Sequence, residues 1–342
     1  MRRAISAALC VLAPWIASAQ AETVAQFYEG KTITCIVAAG PGGSHSLYSQ
    51  FLFPHVQKHL PGHPSMIIQN EGGAGGTRAA NYLYNRSPRD GTHIGIMLSD
   101  MPMGARLKLT GVKYEPKEFS YIAGAARTQS AITLLRSAGI TSLKEAMERE
   151  VVLGSSGKSS QTYTIPTALN ALIGTKFKVV LGYPGMAAVD KAFEQGEIQG
   201  RAGVWASLKQ GKPHMIRDGQ LVHIAVADVA PIPDMPGVPL VTEFVKNAED
   251  RKVLEFIIGT GGTLGRAWLA PPEVPADRLT ALREAFEKAL SDPEVIAAAT
   301  ARNLDWDPVK WQELQAAAAS VVDAKDKIVE RAREAMGVDD KS

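Results

Sequence analysis

The chain has 342 residues, 45% of them hydrophobic, with 37 basic and 35 acidic side chains. That near-balance excludes the electrostatic footprint of a nucleic-acid binder or of a protein bound to anionic membrane. The length predicts about two domains, each large enough to bury a core without disulfides.

The N-terminus reads as an export signal. Arg2 and Arg3 precede an apolar stretch over residues 4–16, and Ala17-Ser18-Ala19-Gln20-Ala21 offers small residues at cleavage spacing. The stretch is shorter than the roughly 20 residues that span a bilayer as a helix. Leu9 stands where a lipoprotein signal needs a small residue before Cys10. The expectation is a signal peptide over residues 1–21 and a periplasmic mature chain. Cleavage removes Arg2 and Arg3 and leaves 35 basic against 35 acidic residues, so any anion selectivity must come from local geometry. Cys35 then has no cysteine partner, and its run Thr32-Ile33-Thr34-Cys35-Ile36-Val37 reads as a buried strand.

Strand-like runs alternate with helical stretches, which predicts an α/β protein with mainly parallel sheets. A first strand over residues 33–38 leads through a Gly/Pro turn into a helix ending near His59. A second, over 66–69, leads through another glycine-rich turn into a helix ending near Asn85. Strands follow at 93–98, 121–125 and 131–135, the last two placed to cross between domains. A second set comprises a strand at 151–154, a helix at 162–173, a strand at 177–181, a helix at 189–195 and a strand at 222–227. The prolines between Pro231 and Pro239 make a loop, because proline cannot donate to a sheet. The C-terminal third is helical: Leu279, Leu282, Phe286 and Leu290 form one apolar face, and residues 311–335 read as one long helix.

Two glycine-rich strand-to-helix loops carry the strongest chemical signal. They are Gly40-Pro41-Gly42-Gly43-Ser44-His45-Ser46 and Glu71-Gly72-Gly73-Ala74-Gly75-Gly76-Thr77. Glycine lets backbone approach a ligand, and the helix that follows presents free N–H groups, a favourable place for an anion. In an open α/β sheet such loops lie at the carboxyl ends of the strands, where ligands bind. Side by side, the two predict a carboxylate grip without any buried arginine. Neither loop spells a nucleotide motif: no Lys-Ser or Lys-Thr closes them, and Arg78 breaks the G-x-G-x-x-G spacing after Gly73 and Gly75.

Other candidates are looser. The loop Gly154-Ser155-Ser156-Gly157-Lys158-Ser159 offers hydroxyls from Ser155 and Ser156, with Ser160 next in line, but its glycines are too close for a phosphate loop. Tyr183 in Tyr183-Pro184-Gly185-Met186 follows a predicted strand end and suits a ligand's apolar part. Arg201 and Trp205 fit either a cleft wall or packed structure. His55 and His59 stand i, i+4 with His63 beyond, yet no carboxylate or cysteine completes a metal pattern, and a solvated face is the reading. No G-x-S-x-G elbow or H-E-x-x-H motif occurs. No metal or cofactor is expected.

With these motifs in order, the chain resembles the periplasmic receptors of tripartite tricarboxylate transporters, the Bug-type solute-binding proteins. The likeness runs through Phe27-Tyr28-Glu29-Gly30-Lys31-Thr32-Ile33-Thr34, Ala39-Gly40-Pro41-Gly42-Gly43 and Gln69-Asn70-Glu71-Gly72-Gly73-Ala74-Gly75-Gly76. It continues through Arg78-Ala79-Ala80-Asn81-Tyr82-Leu83-Tyr84-Asn85, Pro88-Arg89-Asp90-Gly91, Gly182-Tyr183-Pro184-Gly185, Pro236-Gly237-Val238-Pro239-Leu240 and Leu269-Ala270-Pro271-Pro272-Glu273-Val274-Pro275. The resemblance implies a two-domain Venus-flytrap with the ligand in the interdomain cleft. Crossing segments would join the domains, and the C-terminal helices would return to the first. It also implies a carboxylate held by backbone groups of the two first-domain loops.

Departures fall where specificity would be set. Ser46 and Gln50 replace an aspartate and an arginine frequent in relatives, and Ser44 and His45 replace a glycine and an aromatic residue. The missing aspartate weighs against an amine-bearing ligand.

The combined expectation is domain 1 over residues 22–123 and 264–342, and domain 2 over 124–263. Ligand contacts are expected from Gly43, Ser44, His45, Ser46, Gly75, Gly76, Thr77, Ser155, Ser156, Ser160, Tyr183 and Trp205. The expected partners are a small carboxylate and the integral membrane subunits of a transporter, with a monomeric receptor and no enzymatic activity. The alternatives are an exported serine-dependent hydrolase and a ligand-sensing receptor for another membrane partner.

Overall fold

The computed structural model describes residues 22–259 and 262–338; the leader expected at 1–21 lies outside the described residues. Among the described residues eleven strands make two sheets. They are β1 (Thr32–Val37), β2 (Ser65–Asn70), β3 (His93–Ile96), β4 (Ser120–Gly124), β5 (Ser130–Leu135), β6 (Val151–Gly154), β7 (Phe177–Val180), β8 (Gly200–Val204), β9 (Leu221–Val226), β10 (Ala267–Ala270) and β11 (Val309–Lys310). The first sheet has the order β11-β4-β10-β3-β1-β2 and the second β7-β6-β8-β5-β9.

Both sheets are mixed, which corrects the expectation of mainly parallel ones. In the first, β1 pairs in parallel with β2 and β3, while β10 runs antiparallel to β3 and β4. In the second, β6 is parallel to β7 and β8, while β5 is antiparallel to β8 and β9. The reason is topological. β5 and β10 each arrive from the other sheet and enter against the local strand direction. Sequence reading also missed β8, β10 and β11; the Gly200-Arg201-Ala202-Gly203-Val204 run carries neither a β-branched stretch nor clean alternation.

Each sheet is covered on both faces, as the alternation of its strands requires. On β1, Ile33, Cys35 and Val37 join one apolar cluster with Leu52, Trp268 and Phe286, while Ile36 joins another with Leu83, Tyr121 and Leu314. Cys35 is a free, buried thiol whose pKa burial pushes up to about 12, as a core hydrophobe's should be. In the second lobe, Val151 and Leu153 face one cluster and Val152 the other.

Two segments cross between the lobes as an antiparallel ribbon. Ala125 N donates to Arg266 O at 2.8 Å, Arg266 N to Ala126 O at 3.0 Å, and Thr128 N to Gly262 O at 3.0 Å. The predicted last helix is two, Trp311–Val322 and Asp326–Ala335. The second of these joins Met103 and Leu107 of one lobe to Ala168, Val253 and Ile257 of the other in a single apolar cluster. Among the described residues no helix is long and apolar enough to cross a membrane.

Candidate functional site

In each sheet the order around the central strand is 2-1-3: β2-β1-β3 in the first and β7-β6-β8 in the second. Each therefore has a switch point where successive connections leave to opposite sides, and the loops above it splay apart. Both switch points open onto one cavity between the lobes. It is lined by Gly40, Gly43, Ser44, His45, Gly73, Gly75, Gly76 and Asp100 from one side, and by Ser156, Ser160, Gln161, Gly185, Met186 and Ser207 from the other, with Arg266 at the join. It offers about 70 Å³ to water centres. One water needs roughly 10–15 Å³ on that measure, so the space suits a ligand of a few heavy atoms.

Four helices begin at this wall: Ser44–His59, Thr77–Asn85, Gln161–Ile173 and Met186–Glu194. Their N-caps are Gly43, Gly76, Ser160 and Gly185, and all four line the cavity. Only Ser160 caps with its side chain; the three glycines make no side-chain cap bond. Their first-turn N–H groups are thus left for backbone, water or ligand, and helix macrodipoles favour an anion there by about 0.3–2 kcal/mol each.

The loops also meet each other across the cleft. Gly75 N donates to Ser156 O at 3.2 Å, Thr77 Oγ1 donates to Ser159 Oγ at 3.1 Å, and Gln161 Nε2 to Ser99 Oγ at 3.1 Å. Ser44 Oγ lies 3.3 Å from Ser207 Oγ, and Lys209 Nζ 3.2 Å from Asp305 Oδ1. The lobes are closed on one another.

Arg266 is the charge that sequence reading missed: a buried arginine stands on the cavity wall beside the two loops. It sits on the crossing ribbon and is 2% exposed. Its Nη2 donates to Ser44 Oγ at 2.7 Å and Ser207 Oγ at 3.1 Å, and its Nη1 to Gly265 O at 3.0 Å. Among the described residues no carboxylate lies within salt-bridge distance of it, and its buried Nε has no partner. Burial pulls its pKa down, with Tyr48 and Asp305 opposing. Nothing in Leu264-Gly265-Arg266-Ala267 marks the arginine in sequence; only the ribbon geometry brings it to the cavity.

Two further polar groups face the same space. Asp100, at the carboxyl end of β3, is 1% exposed, and burial raises its pKa to about 7. His45 is 8% exposed and held down at about 3, by burial first and by Arg266 second. Asp100 was also missed by sequence reading, since the third strand lacks a glycine-rich loop.

Of the predicted residues, Gly43, Ser44, His45, Gly75, Gly76, Ser156 and Ser160 line the cavity. The others lie behind it. Ser46 accepts from Asn70 Nδ2 at 2.7 Å, and the same amide donates to Ala39 O at 3.0 Å, which ties the first two loops together. Ser155 Oγ meets Thr162 Oγ1 at 2.9 Å, and Thr77 bonds Ser159. Tyr183 packs in the second lobe's core, its ring 3.2 Å from where a Cβ of Gly154 would stand. Trp205 donates from Nε1 to Asp234 Oδ2 at 2.8 Å and sets its ring edge-on to His223. Arg201 is structural: 1% exposed, it pairs with Asp190 at 2.7 Å and donates to Val204 O at 2.9 Å. Arg78 pairs with Glu71 on the surface. Among the described residues no three His, Cys, Asp or Glu are grouped to hold a metal ion, and no serine hydroxyl meets a histidine ring.

No family model and no curated protein matches the chain. Solved structures do. The periplasmic binding protein BugD superposes with a TM-score of 0.70 at 18% identity, covering 90% of this chain and 98% of that one. MatC of Rhodopseudomonas palustris, with bound malate, gives 0.68 at 19% identity, covering 90% and 99%. An R. palustris protein with adipate gives 0.69 at 18% identity, covering 90% and 97%. All three are aligned over nearly their full lengths. The chain has the two-lobed α/β fold of the periplasmic solute-binding proteins, with its cavity at the cleft between the lobes.

Proposed function

We propose that this chain is a Bug-type periplasmic receptor that captures a small carboxylate between its lobes by hinge closure and delivers it to the membrane subunits of a tripartite tricarboxylate-type transporter. The observation that carries the reading is Arg266, a buried cation on the cavity wall with no carboxylate partner among the described residues. An unpaired buried charge is costly, and the anion that offsets it is the ligand's carboxylate. The open helix starts around it act in the same sense. The carboxylates of the malate- and adipate-bound neighbours agree with this reading. On it, the domain boundaries fall at 123/124 and 263/264, where the crossing ribbon runs. The ribbon carries Arg266 itself, so ligand charge and hinge are adjacent.

The test is native mass spectrometry of the protein as purified, followed by calorimetry and small-angle scattering with a panel of C3–C6 mono- and dicarboxylates. The reading expects one ligand per chain and a smaller radius of gyration on binding. A panel that gives neither heat nor compaction would overturn it. Turnover of ester or amide substrates would favour the serine-hydrolase alternative instead.

A further inference from the structure

The cavity wall carries two buried acceptors that nothing in the protein satisfies: Asp100 Oδ2 and His45 Nε2. Asp100 occupies the N-cap position of the Met101–Arg106 helix, yet its side chain does not cap that helix. The carboxylate is held from the backbone at Asp100 itself and at Gln161, and Oδ2 is left over. The His45 ring bonds to the Met97 backbone in the sense that favours a proton on the ring. That bond uses the nitrogen carrying the proton, so the bare Nε2 is a lone pair. Beside Arg266 the ring stays neutral. Buried acceptors of this kind in a native protein call for a donor.

A simple carboxylate brings none. It satisfies Arg266 and the helix starts but leaves His45 Nε2 enclosed and unpaired, and it meets Asp100 without repulsion only while that carboxyl keeps its proton. Resting on the reading above, we infer that the ligand is a small carboxylate that also bears an N–H or O–H donor, a hydroxy- or amino-carboxylate, whose donor is received by Asp100 Oδ2 and His45 Nε2. An ammonium supplies three protons and balances Asp100 as the carboxylate balances Arg266; a hydroxyl supplies one. Asp100 and His45 set specificity, while Arg266 sets the requirement for an anion.

Calorimetry with two matched series tests this on the full-length mature protein: propionate, lactate and alanine, then succinate, malate and aspartate. A site built around a ligand donor rejects the analogue lacking it by up to about 10⁴–10⁵-fold. The inference expects at least about a hundredfold within whichever series fits. Asp100→Asn should cost the ammonium ligand much more than the hydroxyl one if the donor is an ammonium, and should cost both similarly if it is a hydroxyl. His45→Gln should narrow the gap between donor-bearing and donor-free ligands on its own, should the Asp100 variant fold poorly. Equal affinity for succinate and malate, or for propionate and lactate, with the amino acids no tighter, overturns the inference and leaves the carboxylate reading standing. Weakening of every ligand by one common factor in both variants overturns it equally. If no member of either series binds, the inference is overturned, and the wider C3–C6 panel decides the carboxylate reading by itself.

Discussion

Gly75 and Gly157 meet backbone to backbone across the cleft. A Cβ on Gly157 would stand 2.3 Å from Gly75 N, and one on Gly75 would stand 2.8 Å from Ser160 N. Both glycines have φ values, +145° and +60°, that side chains rarely adopt. Gly72 repeats the pattern, its Cβ position lying 2.7 Å from Pro184 O. The glycine-rich loops therefore serve closure as much as ligand contact: they are smooth so that the two lobes can touch.

Gly157→Ala should block that approach while leaving each lobe folded. Overpacking of this kind costs about 1–3 kcal/mol, here charged to the closed state. The expected result is ligand affinity weakened by roughly 5- to 150-fold, in addition to a lower thermal midpoint of the ligand-free protein from forcing alanine to φ +145°. Scattering with saturating ligand should show reduced compaction. Unchanged affinity would mean the lobes can close without this contact.

Arg266→Met should separate binding from stability. Loss of the charged hydrogen bonds to a carboxylate should cost about 1.5–3 kcal/mol of binding, while removing an unpaired buried charge should leave the ligand-free protein as stable as wild type or more so. Calorimetry and urea unfolding read the two effects. Destabilisation of the ligand-free form would show that Arg266 is structural, serving mainly its bonds to Ser44 and Ser207.

Asp100 and His45 should impose opposing pH slopes on stability. The Asp100 carboxyl has a folded pKa of about 7, raised by burial from an ordinary 3.8. Across that window the folded chain keeps a proton the unfolded chain has lost, so its contribution falls as pH rises. His45 is depressed to about 3 from an ordinary 6.5. There the unfolded chain binds a proton the folded chain does not, so its contribution falls as pH falls. Between about pH 4 and 6.5 the two offset each other. Relative to wild type, Asp100→Asn should make stability climb with pH, by up to about 1.4 kcal/mol per unit. His45→Gln should make it decline. Urea midpoints at three pH values within the window decide this, and parallel profiles for all three proteins would contradict it.

Leu107→Ala probes the apolar joint between the lobes. Leu107 is fully buried beside Met103, Val253, Ile257 and Val329, so the truncation should cost about 2–5 kcal/mol of unfolding free energy. Urea denaturation measures it. A loss under about 1 kcal/mol would show that the site collapses to fill the gap.

Much of the fold was legible in the sequence because its signals are local. The strand and helix around the Gly40 loop, the strand and helix around the Gly72–Gly76 loop, and the pair formed by 151–154 and 162–173 follow from short apolar runs and glycine punctuation. Gly43, Ser44, Gly75 and Gly76 belong at the cavity by the same logic, since a glycine-rich turn before a helix puts backbone N–H groups at a strand's carboxyl end. Such local signals specify a pair of α/β units with backbone-lined loops and no global charge to draw an anion. The tertiary structure decided the rest. It brought Arg266 in from a crossing ribbon more than 200 residues away from Ser44 and turned Asp100 Oδ2 and His45 Nε2 inward without partners. It also set Gly75 against Ser156 and Gly157. These are contacts between segments remote in the chain, fixed by how two sheets close on each other, and no local propensity encodes them.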